Sequence, residues 1–276
     1  MSHHSIQIRT DAMRRVPIAL LAATVPLLLA LVWIALPQFV ARAAPSVIRV
    51  THAGASSGPC GDSWANPCDL QYALNTRAVS GTEIWVAAGL YKPTTISTNI
   101  SATFALSNGV ALYGGFAMTE TMRDQRNWAA NVTVLSGDID NNDVTDAHGV
   151  ITQASRINGS NSYHVVVGSG TNNTTVLDGF TVTGGNANGS TPNDGGGGLY
   201  EQGGNATIRN VTFSGNAGIF GGGVYNLLST PVLITVTLAG TPLPLIPVGA
   251  STTTLATQLW STSSSLTTLQ QSLAVG

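Results

Sequence analysis

One short apolar phrase occurs three times in the second half of this chain, and it constrains the fold more than any other feature. The three copies are Leu177–Gly184, Ile208–Asn216 and Leu233–Gly240. Two glycine-rich segments stand between them, and their tyrosines, Tyr200 and Tyr225, have the same separation as the starts of the last two copies. One strand and one glycine-rich corner recurring at such a period are typical of a solenoid.

The pattern within each copy predicts an all-β protein, a right-handed parallel β-helix. Apolar residues alternate, as at Val211 and Phe213, so that one side of each strand would face the interior and stack on the next coil. Asn216 would stand at a corner and bond neighbouring backbone, while glycines would supply positive φ at the other corner. A β-sandwich also has short strands, but it does not explain two different signatures that recur at one shared spacing. Disorder would fit the 9 % of charged residues, but the regular apolar positions each require a partner face.

A capping helix is predicted before most of the strands. Asn66 is its expected N-cap, Pro67 its first residue and Gly81 its end. Its apolar face comprises Leu70, Ala73, Leu74 and Ala78. Such a helix would cover the open end of the first coil and prevent edge-to-edge association. Strands are predicted at 47–50, 83–91, 103–106, 109–116, 132–135, 163–167 and 175–177.

Several segments share more than a strand pattern with known proteins. They are Leu70–Leu74, Glu83–Thr94, Leu135–Asp140, Tyr163–Val166, Leu177–Asn186, Phe213–Asn216 and Gly221–Val224. The first two resemble the N-terminal cap of bacterial right-handed parallel β-helix surface proteins with a pectin-lyase-like fold. The last two are similar to the repeats of polymorphic outer membrane proteins. This resemblance covers residues 47–240, and it implies a secreted or cell-surface protein, often adhesin-like.

Residues 1–44 have the layout of a secretory signal peptide. Basic residues precede an apolar run from Val16 to Val40, and small residues follow, with cleavage expected after Ala43. This run is long enough to span a membrane, so an uncleaved membrane anchor is the alternative. Both interpretations predict an exported protein, secreted or at the cell surface, that meets the membrane only through this segment if it stays uncleaved.

The two cysteines and the charge balance agree with export. Cys60 and Cys68 are the only cysteines, and in an oxidising compartment a disulfide between them is expected, with two free thiols as the alternative. Outside residues 1–44 the chain keeps seven of its 11 basic residues and twelve of its 13 acidic residues. That balance provides neither a basic patch for nucleic acid nor a polybasic surface for membranes.

The end of the chain differs from the rest. The predicted division is a signal peptide at 1–44, cap and first coils at 45–95, β-helix coils at 96–240, and a tail at 241–276. From Asn210 onward there is no charged residue, and the repeated phrase stops at Gly240. A shifted reading frame after that point can encode the missing Gly-Gly-Gly-apolar-Tyr corner, so we interpret 241–276 as frameshifted. A natural disordered Ser/Thr-rich tail is the alternative; a frameshift would leave the last coil uncapped and its edge open.

One acidic segment is a candidate calcium site. Its oxygen-bearing side chains are Asp138, Asp140, Asn142, Asp143 and Asp146. Alternating Asp and Asn oxygens suit Ca²⁺, which takes six to eight oxygen ligands. The glycine and the distal glutamate of an EF-hand are absent, so a solvated turn is the alternative. No other cofactor is predicted.

No catalytic residue is assigned from the sequence. The charged residues in 170–240 are Asp178, Asp194, Glu201 and Arg209. Asp178 and Arg209 occupy equivalent positions of the phrase, and we expect them to stack on neighbouring coils as a salt bridge or strand-face pair rather than to catalyse. His148 and His164 are expected to be structural or exposed.

The sequence therefore favours an exported, non-catalytic β-helix that acts as an adhesin-like or glycan-binding scaffold. Its expected partners are polysaccharides or cell-surface glycans, not nucleic acid. A polysaccharide lyase or hydrolase whose active coil is missing is one alternative, because carbohydrate-acting enzymes share the fold. A structural surface spacer is the other. Fold alone does not decide among them.

Overall fold

The computed structural model describes residues 46–240 and the backbone of two short strands further along, 256–258 and 267–271. The predicted signal peptide and most of the tail, including its frameshift interpretation, lie outside the described residues. The described part is predominantly β-structure. None of its helices has the length and apolar character needed to cross a membrane.

Nearly all of the strands in the described residues pair in parallel. They are β1 Val47–Ala55, β2 Glu83–Ala87, β3 Gly89–Tyr91, β4 Phe104–Ala105, β5 Ala111–Phe116, β6 Thr133–Ser136, β7 Val166–Val167, β8 Val176–Asp178, β9 Thr181–Thr183, β10 Asn186–Ala187, β11 Leu199–Gln202, β12 Thr207–Arg209, β13 Thr212–Ser214, β14 Ala217–Gly218, β15 Val224–Leu227 and β16 Val232–Ala239. One α-helix, α1, spans Leu70–Thr76, and two 3₁₀ helices span Arg123–Gln125 and Ala154–Arg156.

The strands stack in four rows. The first row is β1-β2-β5-β8-β12-β16, and the second is β3-β6-β9-β13-β16. The third row is β10-β14, and the fourth is β4-β7-β11-β15. All neighbours within these rows are parallel, and the long strand β16 joins the first two rows because it pairs with both β12 and β13.

The three copies of the repeated phrase are register partners in these rows. The partners in the first row are Leu177, Ile208 and Leu233, and those in the second row are Val182, Phe213 and Leu238. Tyr200 and Tyr225 are partners in the fourth row. The apolar residues of the phrase lie in one continuous core, where Phe213 is fully buried. Equivalent apolar positions thus set which strand pairs with which.

The helix is shorter than predicted, although its buried face is as expected. Leu70, Ala73 and Leu74 are buried, but the N-cap is Asp69, whose carboxylate accepts a hydrogen bond from Tyr72 N at 2.9 Å. The residues before it cannot be helical, because Pro67 O accepts from Ala55 N at 2.9 Å and Cys68 is bridged to β1. The predicted start at Asn66 was therefore wrong. The predicted end at Gly81 was also wrong, because the helix ends at Thr76.

The strand predicted at 83–91 is two strands. It breaks at Ala88, where the chain passes from the first row to the second. Gly89 has φ 144°, a conformation that side chains with a Cβ rarely adopt, so this glycine makes the corner. Strands were correctly predicted on both sides of Ala88, but the alternation of apolar residues does not reveal the bend between them.

At the corner after the repeated phrase, an asparagine makes the hydrogen bonds and a glycine adopts the positive φ. Asn216 is fully buried, accepts a hydrogen bond from Gly185 N and donates one to Val182 O, both at 2.9 Å. The positive φ of 59° belongs to Gly215, the residue before it. The asparagine therefore ties two neighbouring turns of the chain together, as expected, while the glycine supplies the bend.

The predicted disulfide is confirmed. Cys60 and Cys68 are bonded, with their Cα atoms 5.1 Å apart, and both are buried in the core beneath α1. The bond fixes the loop between β1 and the helix, and it satisfies the only two cysteines of the chain.

Two strands from the tail pair with the last strands of the rows. They are β17 Ala256–Gln258, which is antiparallel to β15, and β18 Thr267–Gln271, which is antiparallel to β16. This pairing covers part of the edge that the sequence analysis expected to be open.

Candidate functional site

A cleft of about 280 Å³ lies on the outer face of the first row. Its floor comes from β5, β8 and β12, and its wall comes from the segment between β5 and β6, which contains a 3₁₀ helix. Seven residues line it: Tyr113, Arg123, Asp124, Arg126, Trp128, Asp178 and Arg209. Its volume lies near the lower end of the usual range for small-ligand sites, which suits a ligand of about one or two sugar rings.

Register brings the floor residues side by side. Tyr113 pairs with Asp178, and Asp178 pairs with Arg209, on three adjacent strands. Neighbouring strands in a sheet are about 4.8 Å apart. The residue before each of them is buried in the core, and side chains alternate along a strand, so these three face outward.

Arg126 is the anchor of the cleft. Its Nη2 lies 2.8 Å from Asp178 Oδ2, and both side chains are buried. Its Nη1 donates to Gly114 O at 2.9 Å and to Asp178 O at 3.2 Å. The guanidinium also lies between two aromatic rings, with its Cζ 5.2 Å from the Tyr113 centroid and 5.1 Å from the Trp128 centroid. Its position is therefore fixed from several directions.

A second arginine braces the rim. Arg123 Nη1 lies 2.7 Å from Glu83 Oε1 and donates to the Tyr113 hydroxyl at 3.0 Å. The Arg123 Cζ stands 4.7 Å from the Tyr113 ring centroid. Burial raises the pKa of Tyr113, so its hydroxyl stays protonated. This pair is more exposed than the Arg126 pair, and solvent weakens it.

Arg209 is left without an ion pair among the described residues. The sequence analysis predicted that it stacks beside Asp178, and the register confirms that adjacency. The salt bridge of Asp178 is instead made with Arg126, and its other oxygen, Oδ1, accepts from Asn210 Nδ2 at 2.8 Å. Arg209 therefore presents exposed N–H donors to the cleft.

The cleft offers recognition groups of three kinds. Arg209 supplies donors, Asp124 supplies an exposed acceptor, and Trp128 supplies a ring that is 44 % exposed. Asp178, the buried carboxylate, already has a donor on each oxygen, so it is a structural acceptor rather than a poised base. Such a set suits the binding of a polar ring compound.

Most of this site was not predicted from the sequence. Arg123, Arg126 and Trp128 lie in a segment without strand periodicity, and they approach the sheet from above. The signal that was present is compositional, since two arginines and a tryptophan fall within six residues of a chain with only 9 % charged residues.

The predicted calcium residues lie on one loop that packs against residues 156–161, but most of their carboxylate groups already accept hydrogen bonds. Asp138 is buried, with Oδ2 3.4 Å from Lys92 Nζ, and its Oδ1 accepts from Asn142 N at 3.2 Å. Asp140 Oδ2 accepts from Ser160 N at 2.9 Å.

The remaining two acids of this loop are similarly engaged. Asp143 accepts from Asn158 N and from Asn161 Nδ2, the latter at 2.7 Å, and burial raises its pKa. Asp146 Oδ1 accepts from the backbone N–H groups of His148 and Val150. The part of the chain that the structure describes contains no group of three or more His, Cys, Asp or Glu residues arranged to hold a metal. Calcium binding here stays a prediction.

A calcium titration tests that prediction. Binding would give a calorimetric heat and raise the Tm of the full chain, because Asp140 Oδ1, which is buried without a hydrogen-bond partner, would coordinate the ion. Asp140→Asn would lose both effects, whereas Asp124→Asn, outside the loop, would keep them. Absence of heat and of any Tm shift would contradict the prediction.

The two histidines singled out from the sequence differ in setting. His164 is buried, shares a hydrogen bond between Nδ1 and Gly196 O at 3.0 Å, and stacks on Tyr200 with centroids 4.8 Å apart. Burial lowers its pKa. His148 is exposed. Both settings agree with the expectation that they are structural or exposed.

Comparison of the chain with protein-family models, with curated proteins and with solved structures found no match.

Proposed function

We propose that this protein is an exported right-handed parallel β-helix with a pectin-lyase-like fold, and that it binds polysaccharides or cell-surface glycans without altering them. The parallel rows support the fold, because one strand of each turn of the chain pairs with the equivalent strand of the next. Right-handed crossovers between parallel strands are strongly preferred in proteins, which supports the handedness. The disulfide and the signal-like layout of residues 1–44 support export.

One observation carries the binding proposal. The guanidinium of Arg209, which has no ion pair among the described residues, and the exposed indole of Trp128 line one cleft above the buried Arg126–Asp178 pair. Arg209 is exposed at the floor, and Trp128 is exposed at the wall. The Arg126–Asp178 pair beneath them is buried and held by further hydrogen bonds. Exposed donors beside an aromatic ring suit a sugar, because its hydroxyls accept hydrogen bonds and its apolar face packs on the ring.

The same geometry favours binding over catalysis. A polysaccharide lyase or hydrolase needs an acid and a base that converge on the scissile bond. The buried carboxylate of the cleft, Asp178, is neutralised by Arg126, and the other, Asp124, is exposed at the rim. Adhesin-like recognition of glycans requires only the recognition groups.

The test is a glycan array probed with the full chain, followed by titration of the glycans retained. Trp128→Ala and Arg209→Ala should each weaken binding about tenfold or more, since each removes a contact of about 1.4 kcal/mol or more. Arg156→Ala is the matched control, because Arg156 is an exposed arginine outside the cleft, and it should bind as the wild type.

Two other outcomes would replace the proposal. Retention of no glycan on the array would support a structural spacer. Release of new reducing ends or unsaturated products from pectin, alginate or a glycosaminoglycan would support a lyase or hydrolase.

A further inference from the structure

Glu201 is a carboxyl group placed inside the stack. It lies in β11 of the fourth row and is fully buried. Its Oε1 accepts a hydrogen bond from Ala206 N at 3.2 Å, and its Oε2 is buried without a partner. An ionised carboxylate in this position would carry one oxygen with neither solvent nor donor, which is costly.

The neighbouring turn of the chain presents a matching acceptor. Asn226 of β15 is the direct register partner of Glu201 in the parallel pair. It is 1 % exposed, and its Oδ1 is likewise buried without a hydrogen-bond partner. Buried acceptor oxygens on two register-paired residues both gain a partner if the carboxyl carries a proton.

We propose that Glu201 is held as a neutral carboxylic acid whose Oε2–H donates to Asn226 Oδ1, and that this acid–amide pair is a pH-dependent latch between two successive turns of the stack. Each orphaned oxygen then gains a partner, and Oε1 keeps its bond from Ala206 N. Loss of the proton would put a charge in the core and remove the donor that Asn226 Oδ1 accepts from.

Within the part of the chain that the structure describes, no positively charged group competes for the proton. The groups that face Glu201 are the main chain of Gly168, the N–H of Ala206 and the amide of Asn226. Gly168 has no side chain to intervene, since a Cβ there would lie 2.7 Å from Oε1. Burial raises the pKa of Glu201 to about 7, the Ala206 N–H lowers it slightly, and no neighbouring charge contributes.

The direction of the pH dependence follows from that raised pKa. Between pH 4.5, the ordinary value, and about 7, the unfolded chain loses the proton while the folded chain keeps it. The contribution of Glu201 to stability is therefore fully present below pH 4.5, falls as the pH rises through this window, and stays lost above it. The acid–amide pair thus joins the two turns in acid and ceases to do so at neutral pH and above.

Glu201→Gln tests the role of the proton, because glutamine has the same shape as the neutral acid but does not titrate. The amide keeps an oxygen for Ala206 N and an N–H₂ donor for Asn226, so it imitates the neutral acid at every pH. In urea unfolding of the full chain, the unfolding constant of the wild type relative to this variant should rise about 150-fold between pH 4.5 and 8. Parallel pH profiles of wild type and variant would overturn the proposal.

A direct titration keeps the test independent of that variant. The chain has three glutamates, Glu83, Glu120 and Glu201, so ¹³C-carboxyl labelling gives three resolvable signals that Glu83→Gln and Glu120→Gln assign. Glu201 should titrate near pH 7, and Asn226→Leu, which removes the acceptor, should lower that midpoint by about one pH unit. A midpoint at or below 4.5, or one unmoved by Asn226→Leu, would refute the latch.

Discussion

Arg126→Met should lower the free energy of unfolding by about 3–5 kcal/mol, the range for removing one partner of a buried ion pair. The methionine retains most of the apolar stem but leaves the Asp178 carboxylate buried, with Asn210 as its remaining side-chain donor. It also removes the N–H donors that bind Gly114 O and Asp178 O. Urea unfolding of the full chain at neutral pH, followed by tryptophan fluorescence, measures the loss.

Arg123→Met is the matched control for that experiment. It removes an arginine of the same cleft that is also ion-paired and also packs on Tyr113. Its side chain is 47 % exposed, so solvent screens the pair and the loss should be about 1 kcal/mol or less. Equal losses for the two variants would show that the Arg126 pair does not hold the cleft.

A double variant shows how much of the loss comes from leaving the Asp178 carboxylate unpaired and how much from losing the other contacts of Arg126. Adding Asp178→Asn to Arg126→Met removes the unpaired charge while keeping an oxygen for Asn210 Nδ2. Part of the lost stability should return, because much of the cost of breaking a buried pair is the charge left behind. No recovery would mean that the arginine acts mainly through packing on the aromatic rings.

The register of the stack was accessible from the sequence because it is written in equivalent apolar residues. Leu177 and Ile208 occupy the same place in the repeated phrase, and they pair directly in the first row. The buried face of the helix was accessible for the same reason, since Leu70, Ala73 and Leu74 follow helical spacing. The spacing of apolar residues predicts which side of an element is buried, and the same spacing recurs in each copy of the phrase.

The cleft was not accessible in this way, because its contacts join residues without a shared pattern. Arg126 reaches the main chain of a residue 52 positions later, and Arg123 reaches a carboxylate 40 positions earlier. Both come from an irregular segment whose path over the sheet depends on its own turns. Spacing along the chain carries no record of such contacts, so only Asp178 and Arg209, which lie in the phrase itself, were placed together.

The state of Glu201 shows the same limit within a regular strand. The sequence marks it as one of few charges near the phrase, and charge usually implies exposure. Glu201 lies two residues after Leu199, which is in the core, so both side chains are on the same face of β11, and the absence of a side chain at Gly168 leaves room for the carboxyl group. The position of Gly168 opposite Glu201 is not visible until the register between β7 and β11 is known.

Gly197→Ala should destabilise the protein by about 3 kcal/mol, the upper part of the range for inserting a methyl group where no room exists. A Cβ at this position would lie 2.1 Å from Ala217 O, 2.8 Å from Gly222 O and 2.9 Å from Gly185 O. All three are main-chain carbonyls, which cannot turn away as a side chain does. Gly197 is therefore required by the close approach of neighbouring turns and not by its own conformation, because its φ is not in the left-handed region.

Gly203→Ala provides the contrast that tests this account. Gly203 has φ 63°, but a Cβ there would meet nothing within 4 Å. An alanine at that position bears only the strain of left-handed backbone, about 1 kcal/mol. Urea unfolding of both variants beside the wild type should give the larger loss at Gly197. If Gly203→Ala costs as much or more, the corner glycines are required for backbone conformation rather than for the packing of one turn on the next.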